Sequence, residues 1–397
     1  MKRKFNMTGL KECVPEHPSG RLPGILIIAV FLFALLSAGC SGKTNPAADI
    51  ADTANAANAV ESASGAMPSD IQATTAETEA SDQPDIWPGD ENRIVLKLAS
   101  TLNPEMMALN ALRGFSEEVF LETSGRIDIQ IYDSSSLGDQ VEYLSGIRQG
   151  TVEMCLVSTA ALEAIDPHFV IFGMPGLFTS AEKVNRFYES DICRELLDRF
   201  RQESGIRSLA LFHDGVRNVW LREARVYRAE DFSGLRLRIP AGVRIREKEF
   251  QALKAEVVPL PLSDCSAALQ SGYIDGLENN VETIVNSDMI SQIHYQIKTE
   301  HAYSTLLLLI NEKALMQIDE NDRNILTDCA RKYSRTAFEQ YMAGQEAAYS
   351  QAEKAGIETI VPEEKEQRRI RQLLLSATKE MLEGIFPEGF YEKVDAL

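Results

Sequence analysis

From Arg93 the chain alternates strand-like and helix-like stretches, and no other feature restricts its fold as much. Ile94-Val95-Leu96-Lys97-Leu98-Ala99 reads as a first strand. Pro104 opens a helix with Met107, Leu109, Leu112, Phe115, Val119 and Phe120 on one apolar face, closed by Gly125. Ile127, Ile129 and Ile131 mark a second strand, Leu144 and Ile147 a helix ended by Gly150, and 154–157 a third strand. A helix over 181–203 and a strand over 208–212 follow. Repeated strand–helix–strand order implies right-handed crossovers and a parallel sheet. After His213-Asp214-Gly215 a second α/β stretch begins, with strands at 219–221, 234–240 and 257–260 and a helix over 244–254. Ser263 is placed to cap the helix carrying Ala267, Ala268 and Leu269, and Ile274-Asp275-Gly276 is a short strand. A strand over 305–310 precedes long helices over 320–355 and 363–382. The simplest architecture is two α/β lobes with a cleft between them.

Within the second stretch, Gly234-Leu235-Arg236-Leu237-Arg238-Ile239-Pro240 alternates apolar and charged residues with the period of a half-buried strand. Pro240 cannot continue a hydrogen-bonded ladder, so the strand stops there with Arg238 near its carboxyl end. Open α/β sheets hold their ligands at that end. A guanidinium is a planar fork shaped for a carboxylate. Arg217, just after the Asp214-Gly215 crossing, and Asn279, just after the Asp275-Gly276 turn, would complete a site for a carboxylate beside a hydroxyl or carbonyl. Each also has a purely structural reading: Arg217 paired with Asp214, Arg238 with Glu278, and Asn279 capping a helix that starts near Val281. Catalytic signatures are missing: GxSxG, HExxH, P-loop and GxGxxG do not occur, and the five histidines show no metal-ligand spacing. No cofactor or metal is called for.

The formal charge of -19 argues against nucleic acid, whose phosphates demand a basic surface. Lys2, Arg3, Lys4, Lys11 and Arg21 make a basic start, followed by an almost unbroken apolar run over 25–36. A dozen apolar residues suit an export signal and fall short of the ~20 that span a bilayer. Ser37-Ala38-Gly39-Cys40 resembles a bacterial lipobox, so residues 1–40 are expected to form a lipoprotein signal with Cys40 as the lipidated terminus. Residues 41–92 lack periodicity and large apolar groups, and read as a disordered tether with a reach of roughly 40 Å. Cys155, Cys193, Cys265 and Cys329 are widely spread and are expected as free buried thiols.

Several of these stretches together resemble one family. Gly234 to Pro240 is similar to the GLKIRVP segment of solute-binding proteins from tripartite ATP-independent periplasmic (TRAP) transporters. Val258-Pro259-Leu260-Pro261-Leu262-Ser263-Asp264, with Ala268-Leu269-Gln270-Ser271-Gly272 after it, resembles their PxPxxFSEVYxALQTG. Asp275-Gly276-Leu277-Glu278-Asn279-Asn280 resembles their DGxEN, and Thr123 to Arg126, Ser136 to Asp139 and Gly215-Val216-Arg217 add further matches. The resemblance, over about 93–390, implies a two-lobed periplasmic-binding-protein-like fold with long helices packed across both lobes. The expected lobes are 93–214 plus 305–344 and 215–304 plus 345–397. It also implies an extracytoplasmic subunit, not an enzyme, that closes on a small organic acid and hands it to small and large integral membrane subunits. Arg238 matches the arginine that grips the ligand carboxylate, Arg217 a second ligand arginine, Asn279 a ligand asparagine, and Asp139 an acidic residue that touches hydroxyls in some members. Leu262, Asp264 and Asn280 depart from the family's aromatic, glutamate and proline. Ser158 and Ala161 speak against sialic acid, and Glu278-Asn279-Asn280 resembles the form in binders of sugar acids such as uronates; C4-dicarboxylates and 2-oxo acids stay open. An ABC importer or sensor subunit, or an exported enzyme acting on small acids, are the alternatives.

Overall fold

The computed structural model describes residues 93–397. The expected signal segment, Cys40 and the 41–92 tether lie outside the described residues. The first lobe is built from β1 (Ile94–Ser100), α1 (Met107–Glu122), β2 (Ile127–Tyr132), α2 (Gln140–Gln149), β3 (Met154–Ser158), α3 (Val170–Gly173), α4 (Ala181–Glu189) and α5 (Asp191–Ser204). The helix expected over 181–203 is two helices, because Ser190 ends α4 and its hydroxyl accepts the Cys193 N–H to start α5.

β4 (Ile206–Leu221) then runs from the first lobe into the second, which contains β5 (Arg236–Pro240), α6 (Arg244–Ala252), β6 (Glu256–Leu260), α7 (Cys265–Gln270), β7 (Gly276–Asn279) and α8 (Val281–Val285). β8 (Tyr295–Asn311) returns to the first lobe, followed by α9 (Glu312–Gln317), α10 (Glu320–Lys354), β9 (Glu358–Ile360), α11 (Glu364–Lys379) and α12 (Phe390–Asp395). Ser263 does not cap α7; Asp264 precedes it and makes no side-chain cap.

The strands form one sheet in the order β2-β1-β3-β8-β4-β7-β5-β6, with β9 beside β8. The expected parallel pairing holds inside each lobe, for β1 with β2 and β3 and for β5 with β6 and β7. The centre is antiparallel, because β4 and β8 pass through in opposite directions. Short patterns at 208–212, 219–221 and 305–310 therefore belong to two long strands. Their outer ends are apolar on both faces: Leu307 and Leu309 enter one core with Phe169 and Phe187, whereas Leu306, Leu308 and Ile310 enter another with α1 and α10. The second lobe repeats the plan, with Val219, Leu221 and Phe250 on one face and Trp220, Leu269 and Ile284 on the other.

The pairing of β4 with β8 slips between His213 and Gly215, where the chain leaves the first lobe. Gly215 sits at φ +100°, and a Cβ there would lie 2.5 Å from the Tyr341 hydroxyl of α10. Only glycine meets both conditions. At Gly276 a Cβ would lie 2.2 Å from the Trp220 carbonyl oxygen, so Gly276→Ala must push β7 off β4. We expect it to lower stability by about 1–3 kcal/mol, read as an earlier urea midpoint at unchanged m-value.

α10 spans the lobes, with Leu326, Ala330 and Ala337 in the first and Ala348 and Ala352 in the second. The carboxyl-terminal segment corrects the expected boundary. Leu382 and Val394 enter the first-lobe core, and Lys183 of α4 pairs with Asp395 at 2.5 Å. The chain therefore returns to the first lobe at about Glu380, and does not stay in the second through 397. All four cysteines of the described residues are free and buried.

Candidate ligand cavity between the lobes

β5 ends at Pro240 and lies between β6 and β7, so Arg238 stands opposite Val258 on one side and Leu277 on the other. Its neighbour on the same strand face, Arg236, is half in solvent and forks onto Asp275, with Nη2 2.5 Å from Oδ1. Arg238 differs. It is 3% exposed, and its one side-chain hydrogen bond among the described residues runs from Nε to the Leu260 carbonyl at 2.9 Å. No carboxylate pairs with it among the described residues. Burial pushes its pKa below the ordinary arginine value, and Arg217 acts in the same direction, against Cys265 and Glu278. A guanidinium remains charged even so. A buried cation whose fork meets only a carbonyl is costly unless an anion arrives.

Arg217 lies nearby on β4 and is already neutralised. Its Nε is 2.5 Å from Glu278 Oε2, its Nη2 is 2.8 Å from Oε1, and Nη1 is 3.7 Å from Asp214. Glu278 is fully buried. Burial opposes its ionisation, but the Arg217 charge and a bond from His301 hold it well below the usual carboxylate range. Burial pushes His301 down to about 4, so the ring is neutral at pH 7. Its Nε2 then donates to Glu278 at 3.3 Å, and its Nδ1 accepts the Thr299 hydroxyl at 2.9 Å. The pairing of Arg238 with Glu278 is not found; Arg217 occupies that carboxylate.

Asn279 follows Glu278 on β7. Its Oδ1 accepts the Asn280 N–H at 2.9 Å, and its amide nitrogen makes no hydrogen bond among the described residues. The cap of α8 is Asn280, whose Oδ1 accepts the Thr283 N–H at 2.8 Å. Asn279 is thereby left facing a cavity that Arg217 and Arg238 also line.

Asp139 does not line that cavity. It starts α2, where Oδ1 accepts from the Val141 and Glu142 N–H groups, and Glu142 answers by accepting the Asp139 N–H at 2.8 Å. It borders a separate surface recess with Val141, Ala241 and Pro261. Its neighbour Gln140 reaches the cavity and accepts the Ser158 N–H at 3.0 Å. The serine of the expected α7 cap, Ser263, also lies outside the cavity lining.

Sequence reasoning missed Arg246, Asp214, Tyr303 and Phe172, which complete the lining from both lobes. Arg246, in the first turn of α6, is buried and holds Glu249 through Nη1 at 2.5 and 2.7 Å. Burial pushes Glu249 up to about 7, against Arg246. The i,i+3 Arg–Glu spacing just past Pro240 was the available signal. The cavity thus brings together three guanidinium groups, two of them with carboxylates behind them and one without. Hydroxyl groups of Thr101, Ser158, Thr159 and Ser304 and the Gln140 amide share the remaining wall with apolar side chains such as Leu102, Leu156, Val243, Leu262 and Leu306. No group of three or more metal-ligating side chains occurs among the described residues.

Residues 98–384 match DctP, bacterial extracellular solute-binding protein, family 7. An uncharacterized protein of Haemophilus influenzae is 27% identical over 306 residues, which cover 76% of this chain and 89% of that one. A TRAP periplasmic solute-binding protein of the same species, solved with bound L-gulonate, is 25% identical with a TM-score of 0.71, covering 76% and 97% of the two chains. One from Anaerococcus prevotii, solved with bound α/β-D-glucuronate, is 23% identical with a TM-score of 0.72, covering 77% and 98%. The two solved relatives are transport solute-binding proteins, not enzymes. The chain belongs to the DctP family of bacterial extracellular solute-binding proteins, the extracytoplasmic binding subunits of TRAP transport.

Proposed function

We propose that this protein captures a sugar acid of the uronate or aldonate class by closing its two lobes on it, and delivers it to the integral membrane subunits of a TRAP transporter. Arg238 receives the carboxylate, Arg217 steadies it from the β4 side, and Asn279 donates its amide to a neighbouring hydroxyl or carbonyl. Asp139 acts at longer range, as a negative charge that favours the charged form of Arg238. The observation that carries this reading is a buried arginine with no carboxylate of its own, beside a second arginine that has one. The hydroxyl and amide groups on part of the wall offer partners to the hydroxyls of a polyhydroxylated acid, which a bare dicarboxylate lacks. L-gulonate and D-glucuronate, bound by two structural relatives, belong to the same chemical class. Attachment through a lipidated Cys40 would keep the folded part close to the membrane it serves.

Closure follows from differential contact: only the closed form brings both lobes' groups to one carboxylate. A thermal-shift screen of uronates, aldonates, C4-dicarboxylates and 2-oxo acids tests the assignment. A sugar acid at one hundred times its Kd should stabilise the protein by about 2.7 kcal/mol through mass action. A shift with C4-dicarboxylates alone, or turnover of the acid on incubation, would contradict it.

A further inference from the structure

Two helices beside the cavity begin without a cap of their own. α1 of the first lobe starts after Met106 and α6 of the second after Val243, and neither residue supplies a side-chain acceptor. In both cases the carboxylate comes from the other lobe. Glu282, in the first turn of α8, accepts the Met107 N–H through Oε1 at 2.6 Å. Glu163, in the turn Thr159–Ala164 of the first lobe, is buried beside Ile245 at the start of α6, whose N–H favours its charged form, and leaves its Oε1 without a hydrogen-bond partner.

The contacts lie on opposite faces of the sheet. Around Glu282, Asn103 Nδ2 of the first lobe donates to the Asn286 carbonyl of the second at 2.8 Å. Around Glu163, Arg246 Nη1 donates to the Gly173 carbonyl at 3.3 Å, and Val243 and Ile245 are buried in the first-lobe core. Both glutamates are 7% exposed, and neither lines the cavity. Helix amino termini offer unsatisfied N–H groups, so a carboxyl oxygen seated there joins two bodies with direction.

We propose that Glu163 and Glu282 are positioning residues for closure, a reciprocal pair of carboxyl latches that hold the lobes together from both faces. The proposal rests on the closing motion above, but on no particular ligand. Opening returns each carboxylate and each helix end to water; closing removes them from it.

That exchange makes closure pH-dependent. Burial pushes Glu163 up to about 7 from an ordinary 4.5, opposed by Arg246, the Ile245 N–H and Arg244, and reinforced by Glu249. Burial likewise pushes Glu282 up to about 7, opposed by the Met107 N–H and reinforced by Asp214. A carboxyl whose pKa is higher in the closed form binds more protons there. Its help to closure is complete below the ordinary value and is lost as pH rises through about 7. Between pH 6 and pH 8 the closed-to-open ratio should fall roughly tenfold for one carboxyl and roughly a hundredfold for both. His213 and His301, held near 4, do not titrate in that window. Glu249, also at about 7, is paired with Arg246 inside the second lobe and is retained in every variant.

Spin labels at Leu121→Cys and Tyr227→Cys, positions 70% and 54% exposed on the first and second lobes, report the interlobe distance in the full chain. Cys13→Ser and Cys40→Ser keep labelling to those two sites, the remaining cysteines being buried. Without ligand, the closed fraction should be higher at pH 6 than at pH 8. Glu163→Ala with Glu282→Ala should shift the protein toward the open form at pH 6 and make much less difference at pH 8. Glu163→Gln with Glu282→Gln, which keep an acceptor oxygen and lose the charge, should stay closed and lose most of the pH dependence. Equal distances in all three proteins at both pH values would overturn the proposal, whatever acid the cavity holds.

Discussion

Arg238→Ala should weaken acid binding by roughly thirtyfold to a few thousandfold, the effect of removing one partner from a buried charged pair worth about 2–5 kcal/mol. The loss is large because the fork of Arg238 is free for the ligand. Its Nε bond to Leu260 is its one hydrogen bond among the described residues, and no described carboxylate competes for the remaining donors. The folded protein should lose little, since a buried, uncompensated cation is removed along with the anchor. Calorimetry would then show weak binding in a protein of unchanged or higher melting temperature. Arg238→Lys should fall in the same direction, because an ammonium is a point charge and cannot present two parallel donors. Arg236→Ala is the internal control: that side chain forks onto Asp275 at the edge of the lobe, so acid binding should be nearly unaffected.

Glu278→Ala should act on the fold first. It removes the carboxylate that neutralises Arg217 and accepts from His301, leaving a fully desolvated guanidinium beside a second one. Breaking a buried pair on one side costs about 3–5 kcal/mol, which corresponds to a melting temperature lower by roughly 6–20 °C. Arg217→Ala should be nearly as harmful, because Glu278 would then be the uncompensated charge. Differential scanning calorimetry of both variants and of the double variant checks this. Strong coupling, with the double variant less harmful than the two singles summed, is the expected result. The pH dependence has a definite sign. The Glu278 carboxyl is held well below its ordinary value in the folded protein, so its stabilisation is complete above that value and is lost as pH falls toward the depressed one. The proposed interlobe latches titrate near neutrality with the opposite sign, so acid loosens the Arg217–Glu278 pair while it tightens closure.

Arg238 could be found from sequence because its signal is local. A period-2 pattern ended by proline fixes both the strand and the position of the arginine at its carboxyl end, and the structure places it at the cavity. The βαβ units of each lobe were legible for the same reason. The long central strands were not. Apolar runs at 208–212 and 305–310 look like ordinary buried strands, and nothing local says that 206–221 and 295–311 each continue through a change of lobe. Their antiparallel pairing depends on contacts between residues some 90 positions apart, such as Phe212 with Leu306. Arg217 was legible as a residue near the crossing, but its partner was not: Asp214 is closer in sequence, and Glu278 wins because β7 lies directly beside β4. Asp139 illustrates the reverse case. Asp139 and Glu142 carry the spacing of a helix cap, and that local bond keeps Asp139 at the start of α2, outside the cavity lining. Arg246 was missed because a charged residue in the first turn of a helix usually faces water; here the amino end of α6 is driven into the other lobe by Val243 and Ile245.

The proposed function stands or falls with one contact, the fork of Arg238 completed by the ligand's carboxylate. A calorimetric cycle of wild type and Arg238→Ala, each titrated with the tightest-binding acid of the panel and with its neutral primary amide, tests that contact. A large loss is expected when either the charge of the ligand or the arginine is removed, and little further loss when both are. Equal binding of acid and amide by the wild-type protein, or an acid affinity that Arg238→Ala leaves intact, would refute it.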